Sequence, residues 1–212
     1  MNATRRRGRL VVLEGIDGTG KSTLQRSLAR RWRAEGWRVD CAHEPNDPRL
    51  GRMAQAAGVT DPWASALLFT ADRLAALPRL ESALARTDIV LMDRSFFSTL
   101  AYQGSLLPPA ERRALARLQR HVTLLPDRVV LLDLPASEAL RRIGHRGRSR
   151  EPLERRRTLG RVARAYRAMA RPPRWVVLDA TFPPAECAQR AHARLRRWLG
   201  RPPHGRTAAK II

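Results

Sequence analysis

The sequence predicts an α/β fold with a doubly wound, five-stranded parallel sheet and helices on both faces. Three observations support this prediction: short aliphatic runs recur along the 212 residues, long helical patterns separate them, and the first run ends in a glycine-rich turn. Strands that alternate with helices form parallel sheets covered on both sides. Ligands of such sheets bind beyond the carboxyl ends of the strands.

Each predicted strand is a nearly continuous apolar run, as expected for a strand buried on both faces. The strands are LVVLE (10–14), RVDCAH (38–43), IVLMD (89–93), RVVLLDL (128–134) and WVVLD (175–179). The predicted helices are 21–36, 63–86, 96–103, 109–120, 136–147, 152–170 and 184–199. We therefore expect a single domain over residues 9–200, with a flexible basic arm at 1–8 and a flexible tail at 201–212.

The charge is strongly basic and uneven. The chain carries a formal charge of +22, and residues 105–212 account for +17 of it. Such an excess is typical of proteins that bind nucleic acid or another polyanion. Only Lys21 and Lys210 are lysines, however, and the arginines occupy ordinary exposed helical positions. This pattern favours a compositional origin over nucleic-acid binding and is also compatible with a polyanionic small molecule.

Neither a membrane span nor a secretory signal is predicted. No apolar run approaches the roughly 20 residues that cross a bilayer, and the N-terminus lacks the apolar stretch and cleavage site of a signal peptide. The cysteines Cys41 and Cys187 fit neither a metal-binding pattern nor a disulfide framework. We expect a cytoplasmic protein.

The first strand is followed by GIDGTGKST, which matches the phosphate-loop pattern G-x-x-x-x-G-K-[ST] in full. Glycines let the backbone turn its N–H groups towards phosphate oxygens, and the positive end of the next helix points at the same anion. Lys21 would hold the β- and γ-phosphates, and the Ser22 hydroxyl would bind Mg²⁺. The predicted ATP- or GTP-binding residues are Gly15, Ile16, Asp17, Gly18, Thr19, Gly20, Lys21, Ser22 and Thr23.

A second polar site is predicted where the strand IVLMD ends. Asp93 would reach Mg²⁺ directly or through water, and Arg94 follows it immediately. A guanidinium can hold two oxygens of an incoming phosphate at once. Without the phosphate loop, a salt bridge at the strand end would be the commoner explanation of this pair.

Two further segments suggest a base site and a lid. In LLFTADR, Phe69 and Arg73 lie four residues apart on one helix face, where the ring can stack on a base and the guanidinium can donate to a base oxygen. In RRIGHRGRSRE (141–151), arginines flank two glycines, which suggests a mobile lid over the phosphates. A core phenylalanine and a solvated basic loop are the alternative interpretations.

Several segments, in the same order, resemble those of thymidylate kinases, the nucleoside monophosphate kinases that phosphorylate dTMP. LEGIDGTGKST resembles the family's phosphate loop, HEPNDPRLG its Glu-Pro loop and LLFTADR its thymine helix. DRSFFSTLAYQG resembles the Asp-Arg motif with the helix that lines the nucleoside, and it is the most specific segment. WVVLDAT resembles the strand and turn near the adenine of ATP. Together these segments extend over residues 9–182.

The resemblance implies a contact for each part of dTMP. Arg94 would hold the phosphate, Phe69 would stack on the base and Arg73 would donate to its carbonyl. The remaining implied contacts are Asp17 at the sugar 3′-hydroxyl, Pro45 in the base pocket, Ser98 and Thr99 near the base, Tyr102 against the deoxyribose and Gln103 beside it. The resemblance also implies ATP and Mg²⁺ as cofactors and a homodimer, for which the helices 63–86 and 96–120 could pair.

The implied reaction is in-line transfer of the ATP γ-phosphoryl group to the 5′-phosphate of dTMP. The acceptor is already ionised, so positioning and charge neutralisation suffice and no general base is needed. Some family members carry a basic residue inside the phosphate loop, but positions 16–19 here read IDGT. We therefore expect lid arginines to stabilise the transferring group. The expected catalytic residues are Lys21, Asp93, Arg94, Arg146, Arg148 and Arg150.

Three departures from the family pattern concern the acceptor side. Ser95 stands where Tyr or His is more common, His43 replaces an Arg, and the Glu-Pro loop continues NDPRLG without Gly-Gly-Thr. A deoxynucleoside kinase with Glu44 as general base is therefore the nearest alternative. A nucleic-acid-binding phosphate-loop protein and a non-catalytic nucleotide-binding scaffold are two others.

Overall fold

The computed structural model describes residues 8–58, 60–144 and 153–203. Its strands are β1 (Arg9–Glu14), β2 (Val39–His43), β3 (Ile89–Asp93), β4 (Arg128–Asp133) and β5 (Trp175–Asp179). Its helices are α1 (Lys21–Ala34), α2 (Pro48–Ala57), α3 (Pro62–Arg86), α4 (Phe96–Tyr102), α5 (Pro109–Val122), α6 (Ala136–Gly144), α7 (Leu153–Met169) and α8 (Pro184–Leu199). Most of the predicted basic arm and tail, and the predicted lid from residue 145 on, lie outside the described residues.

The predicted fold class is confirmed. All five strands pair in parallel, in the order β2-β3-β1-β4-β5. The central strand β1 lies between β3 and β4, so the sheet is wound in both directions from it. A crevice forms at the carboxyl end of such a central strand. The end of β1 is also where the phosphate loop begins.

Alternation along β1 divides the core between the two faces of the sheet. Val11 and Leu13 pack in the cluster that contains Trp32 of α1 and residues of α7 and α8, whereas Leu10 and Val12 pack against α3. All four β1 side chains are at most 2% exposed. Full burial on both faces explains the continuous apolar run in the sequence.

The edge strands differ from the prediction of strands buried on both faces. In β2, Asp40, Cys41 and His43 are exposed, and β5 carries the half-exposed Val177. Both strands lie at a sheet edge and are covered less completely than the central three. In the described ranges, no helix has the length and apolar character needed to cross a bilayer.

The sequence analysis did not predict α2 and extended the Glu-Pro loop through its first residues. The helix begins at Pro48 because the Asp47 side chain accepts a hydrogen bond from the backbone N–H of Arg49, and proline suits the first helical position. Pro45 packs where a Cβ at Gly51 would approach its ring to 2.5 Å. A glycine at position 51 therefore lets α2 lie directly against the loop.

The region 96–120 is not one long helix. Helix α4 ends at Tyr102, a 3₁₀ turn covers Gly104–Leu106, and α5 starts after Pro108. Proline lacks the N–H that a continuing helix would need. The helices predicted over 96–103 and 109–120 are thus two separate elements, and the pairing of the regions 63–86 and 96–120 in a dimer stays a prediction.

Candidate active site

The phosphate loop links β1 to α1 through a backbone that two glycines make possible. Gly15 and Gly18 have φ angles of 142° and 84°, which side chains disfavour. A Cβ at Gly15 would come within 2.6 Å of the Leu132 carbonyl oxygen, and one at Gly18 within 2.7 Å of the Ala139 carbonyl oxygen. The loop is therefore folded tightly against β4 and α6. The side of the loop that faces away from them is open to a ligand.

Lys21 starts α1 and is 7% exposed. Its Nζ donates to the carbonyl oxygens of Gly15 and Ile16, each at 3.0 Å. Burial and the nearby positive charge of Arg94 lower the pKa of Lys21 to about 8. Two cations close enough to repel each other would be stabilised by an anion between them.

Ser22 and Asp93 meet at the floor of the same site. The Ser22 hydroxyl donates to Asp93 Oδ2 at 2.6 Å. Asp93 ends β3, and the backbone N–H of Glu44 donates to its carbonyl oxygen at 3.0 Å. In the described ranges, no group of three or more His, Cys, Asp or Glu could hold a metal. A hydroxyl and a carboxylate nevertheless supply the oxygen ligands that hard divalent cations prefer.

Arg94 is the non-glycine residue with positive φ, 71°, among the residues the structure describes. Its backbone N–H donates to the Leu13 carbonyl oxygen at 2.9 Å, which fixes the residue beside the end of β1. Its guanidinium donates to Ser98 Oγ at 3.0 Å and to the Asp17 carboxylate. The cation also lies 5.4 Å from the centre of the Tyr102 ring. Residues with such strained backbone angles cluster at functional sites, where the strain holds a side chain in a required orientation.

Tyr102 connects α4 to the phosphate loop. Its hydroxyl accepts from the backbone N–H of Asp17 at 3.2 Å and lies 3.3 Å from Asp17 Oδ2, to which it donates. Burial raises the pKa of Tyr102 to about 12, so the hydroxyl keeps its proton near neutral pH. Asp17, Arg94 and Tyr102 thus form one contiguous polar surface.

Arg73 belongs to a second buried network, on the α3 side. It donates to both carboxylate oxygens of Glu44, at 2.7 and 2.6 Å, and to Thr99 Oγ1 at 3.2 Å. Gln119 of α5 accepts from its other terminal nitrogen at 2.7 Å and donates to Thr70 Oγ1 at 2.7 Å. These contacts fix the plane of the guanidinium.

One cavity of about 1270 Å³ contains every predicted acceptor-side residue. Its lining includes Asp17, Lys21, Ser22, Pro45, Phe69, Arg73, Asp93, Arg94, Ser98, Thr99, Tyr102 and Gln103. Ser98 lies beside Arg94, whereas Thr99 contacts Arg73, and Gln103 donates to Ser65 Oγ at 3.1 Å. The roles of these residues stay predictions, but their convergence was expected from the sequence.

A smaller cavity of about 410 Å³ adjoins the outer side of the phosphate loop. It shares Gly18, Gly20 and Thr23 with the large cavity and reaches Arg142, Phe182 and Cys187. The phosphate loop therefore separates two concave sites.

Sequence analysis missed several residues that complete the site. Thr158 and Arg161 of α7 line the large cavity, and Arg161 Nε is buried without a hydrogen-bond partner among the described residues. Glu14, Ser95 and Tyr166 form a buried network behind Arg94. Of these three residues, the sequence analysis names only Ser95, as a departure from the family pattern. The predicted catalytic residues Arg146, Arg148 and Arg150 lie outside the described residues.

A parallel sheet carries a complete phosphate loop, and Arg94 faces the same cavity as that loop. This combination defines a P-loop nucleoside monophosphate kinase. A sequence model of the family described as thymidylate kinase matches residues 13–191. The chain belongs to the thymidylate kinase family.

Individual relatives agree with the family match. The chain is 37% identical to the thymidylate kinase of Akkermansia muciniphila, over 90% of this chain and 92% of the relative. It is 38% identical to the thymidylate kinase of Leifsonia xyli subsp. xyli, over 91% and 96%. A probable thymidylate kinase of Metallosphaera sedula is 36% identical, over 82% and 85%.

Proposed function

We propose that the protein phosphorylates dTMP to dTDP with ATP as the donor and Mg²⁺ as the metal, a reaction that supplies dTTP synthesis. The observation that carries this proposal is that Lys21 and Arg94 belong to one cavity at the same sheet edge. The volume of about 1270 Å³ exceeds the roughly 300–1,000 Å³ of a pocket for one small ligand. Such a site suits two anionic nucleotides that meet end to end.

The proposed acceptor position follows the two polar networks. The 5′-phosphate of dTMP would bind Arg94, and the sugar would lie against Tyr102 and Asp17. The base would stack on Phe69 and accept a hydrogen bond from Arg73. Four donations hold Arg73 to described residues, which leaves one of its five N–H groups for the base.

The proposed donor site is the phosphate loop with the small cavity beside it. The phosphates of ATP would lie across residues 15–23, held by backbone N–H groups and Lys21. The adenine would occupy the cavity of about 410 Å³, next to Phe182 and Cys187. This position places the γ-phosphoryl group towards Arg94.

Ser22 and Asp93 are the proposed holders of Mg²⁺. Their oxygens are 2.6 Å apart, and a site with few protein ligands is usual for Mg²⁺, which keeps waters and substrate phosphates. When bound, the ion would neutralise charge on the transferring group. The Ser22 hydroxyl, which now donates to Asp93, would turn its lone pair towards the ion.

Transfer itself would need positioning and positive charge. Glu44 is unsuited to act as a general base, because both of its oxygens accept hydrogen bonds from Arg73. This arrangement favours a phosphorylated acceptor over a nucleoside. Arg161 lines the cavity and could add to the charge that we assign to Arg146, Arg148 or Arg150.

We also propose a homodimer formed through α3. Leu67 and Leu74 are 50% and 42% exposed, and Ala71 between them is exposed as well. At positions i, i+4 and i+7 these residues form one apolar stripe on α3. A stripe of this kind can pair with its own copy across a two-fold axis. We place the reaction in the cytoplasm, where the exposed thiol of Cys41 would stay reduced.

A coupled ADP-release assay tests the function directly. Purified protein with ATP and Mg²⁺ would be offered dTMP, dUMP, dCMP, dGMP and thymidine in separate reactions. The proposal expects the highest kcat/KM with dTMP and no measurable turnover of thymidine. A preference for thymidine would instead indicate the deoxynucleoside kinase, and turnover of none would indicate a binding protein.

A further inference from the structure

Glu14 is a fully buried carboxylate that the proposed reaction does not use. It ends β1, directly before the phosphate loop, and is 0% exposed. A charge removed from water is costly unless hydrogen bonds and an opposite charge compensate it. The partners of Glu14 therefore indicate why the chain keeps a carboxylate there.

Three hydroxyls, two from the start of α4 and one from α7, surround this carboxylate. Ser95 donates to Oε1, and both Ser98 and Tyr166 donate to Oε2, each at 2.8 Å. Ser95 precedes α4, Ser98 lies within it, and Tyr166 belongs to α7. Glu14 thus ties the end of β1 to the helix that carries the acceptor-side residues.

Ser98 links Glu14 to Arg94. Its oxygen accepts from Arg94 at 3.0 Å, while its proton goes to Glu14. A serine that donates to a carboxylate is a better acceptor for a guanidinium, because the hydrogen bonds polarise one another. The Tyr166 hydroxyl lies 2.9 Å from Ser98 Oγ and, while it donates to Glu14, packs against the same serine. The rotamer of Ser98, and with it one terminal nitrogen of Arg94, is therefore fixed.

We propose that Glu14, acting through Ser98 and supported by Tyr166, is a positioning residue that orients the Arg94 guanidinium towards the acceptor phosphate. This inference rests on the proposed function, which assigns the phosphate of dTMP to Arg94. It adds a residue that does not touch substrate, and it explains Ser95, whose short hydroxyl reaches Glu14 where a longer side chain is more common in the family.

The test compares a ligand that carries the phosphate with one that lacks it. Calorimetry would give the Kd of dTMP, thymidine and ATP for the wild type and for Glu14→Gln, which keeps the shape but removes the charge. We expect dTMP affinity to fall about tenfold, the lower end of the effect of one hydrogen bond to a charged group. Thymidine and ATP affinities should change less than about twofold, since thymidine has no phosphate and the phosphates of ATP are held chiefly by the phosphate loop.

Two further variants keep the test decisive if Glu14→Gln fails to fold. Tyr166→Phe removes one hydroxyl of the network and should give a smaller loss confined to dTMP. Gln119→Leu, on the base side, is the matched control and should weaken dTMP and thymidine equally. A Glu14→Gln or Tyr166→Phe loss shared equally by thymidine or ATP would show a merely structural role and overturn the inference. A wild type that binds dTMP no better than thymidine would remove the proposed function and this inference together.

Discussion

Arg73 and Glu44 form a bidentate ion pair in which both side chains are at most 7% exposed, with N–O distances of 2.7 and 2.6 Å. The pair joins α3 to the loop after β2. Glu44 on one edge and Gln119 on the other fix the guanidinium plane, so the base site that we propose would be organised before a nucleotide binds. The first prediction concerns this pair.

Replacing Glu44 with Gln should weaken turnover of dTMP through Arg73. The change leaves the Arg73 charge buried without its counter-charge, which typically costs about 3–5 kcal/mol. We expect kcat/KM for dTMP to fall by about 10- to 100-fold and Tm to fall by about 6–20 °C, at about 2–4 °C per kcal/mol. Steady-state kinetics and calorimetry measure both. Full activity of the variant with dTMP would contradict the role assigned to the pair.

Substitutions of Phe69 and Phe182 should affect the two proposed nucleotide sites separately. Phe69 lines the large cavity and Phe182 the small one. Stacking of a base on an aromatic ring contributes about 1–3 kcal/mol, so Phe69→Ala should raise the KM for dTMP about 5- to 150-fold and leave that for ATP unchanged. Phe182→Ala should do the reverse and serves as the matched control. An equal effect of Phe69→Ala on both substrates would refute the assignment of the base site.

Removal of the predicted lid arginines should lower kcat rather than ATP affinity. A double Arg148→Ala, Arg150→Ala variant should lower kcat by about 100-fold or more, the scale seen when one transition-state donor is removed. The KM for ATP should change far less. The control is Arg113→Ala with Arg117→Ala on α5, which removes the same charge from exposed positions. Unchanged kcat in the lid variant would exclude Arg148 and Arg150 and leave Arg146 and Arg161 as the candidates for this role.

Glu14 should make stability depend on pH in a defined direction. Burial raises the pKa of Glu14 above its ordinary 4.5, against the opposing effects of Arg94 and the three hydroxyls. A raised folded-state pKa gives stability that is present below the ordinary pKa and is lost as pH rises through the folded value. The Tm of Glu14→Gln relative to wild type should therefore increase as pH rises above the ordinary pKa of 4.5.

Glu138 is a control for this prediction because its pKa is shifted in the opposite direction. Hydrogen bonds from Arg141 and Arg142 lower the pKa of Glu138 to about 2. Its contribution is present above the ordinary pKa and is lost only as pH falls towards 2, so Glu138→Gln should gain nothing over wild type as pH rises. Scanning calorimetry over this range compares the variants. A Glu14→Gln difference that is constant with pH would contradict a buried charge.

The oligomer prediction rests on the apolar stripe of α3. Changing both Leu67 and Leu74 to Arg should convert a dimer to a monomer in sedimentation experiments, because two charges would face their own copies across the axis. The change of Leu125 to Arg is the control, since this leucine is 41% exposed elsewhere on the surface. A wild-type monomer, or a dimer unaffected by the double change, would contradict this interface.

Much of the architecture follows from the sequence because its signals are local. A strand buried on both faces must be continuously apolar, and a phosphate loop must place its glycines and lysine at fixed spacing. Asp93 and Arg94 were found for the same reason, since they directly follow such a strand. Helix α2 was missed because its start depends on the Asp47 side chain, and a short Asp-Pro segment is also compatible with a turn.

The residues behind the site could not be predicted, because they meet only through the fold. Glu14 and Tyr166 are 152 positions apart, and Arg73 and Gln119 are 46 apart. No periodicity or motif connects such residues. One signal was present: a strand as apolar as LVVL that ends in Glu14 places a carboxylate where burial is expected, and a buried carboxylate requires partners.

The central claim is that two nucleotides meet over the carboxyl end of β1, one on the phosphate loop and the other on Arg94. A crystal structure with a non-hydrolysable ATP analogue, Mg²⁺ and dTMP tests it most directly. We expect the dTMP phosphate within hydrogen-bonding distance of Arg94, facing the γ-phosphate, and its base between Phe69 and Arg73. Electron density for dTMP at any other place, with Arg94 still bound to Asp17, would contradict the claim.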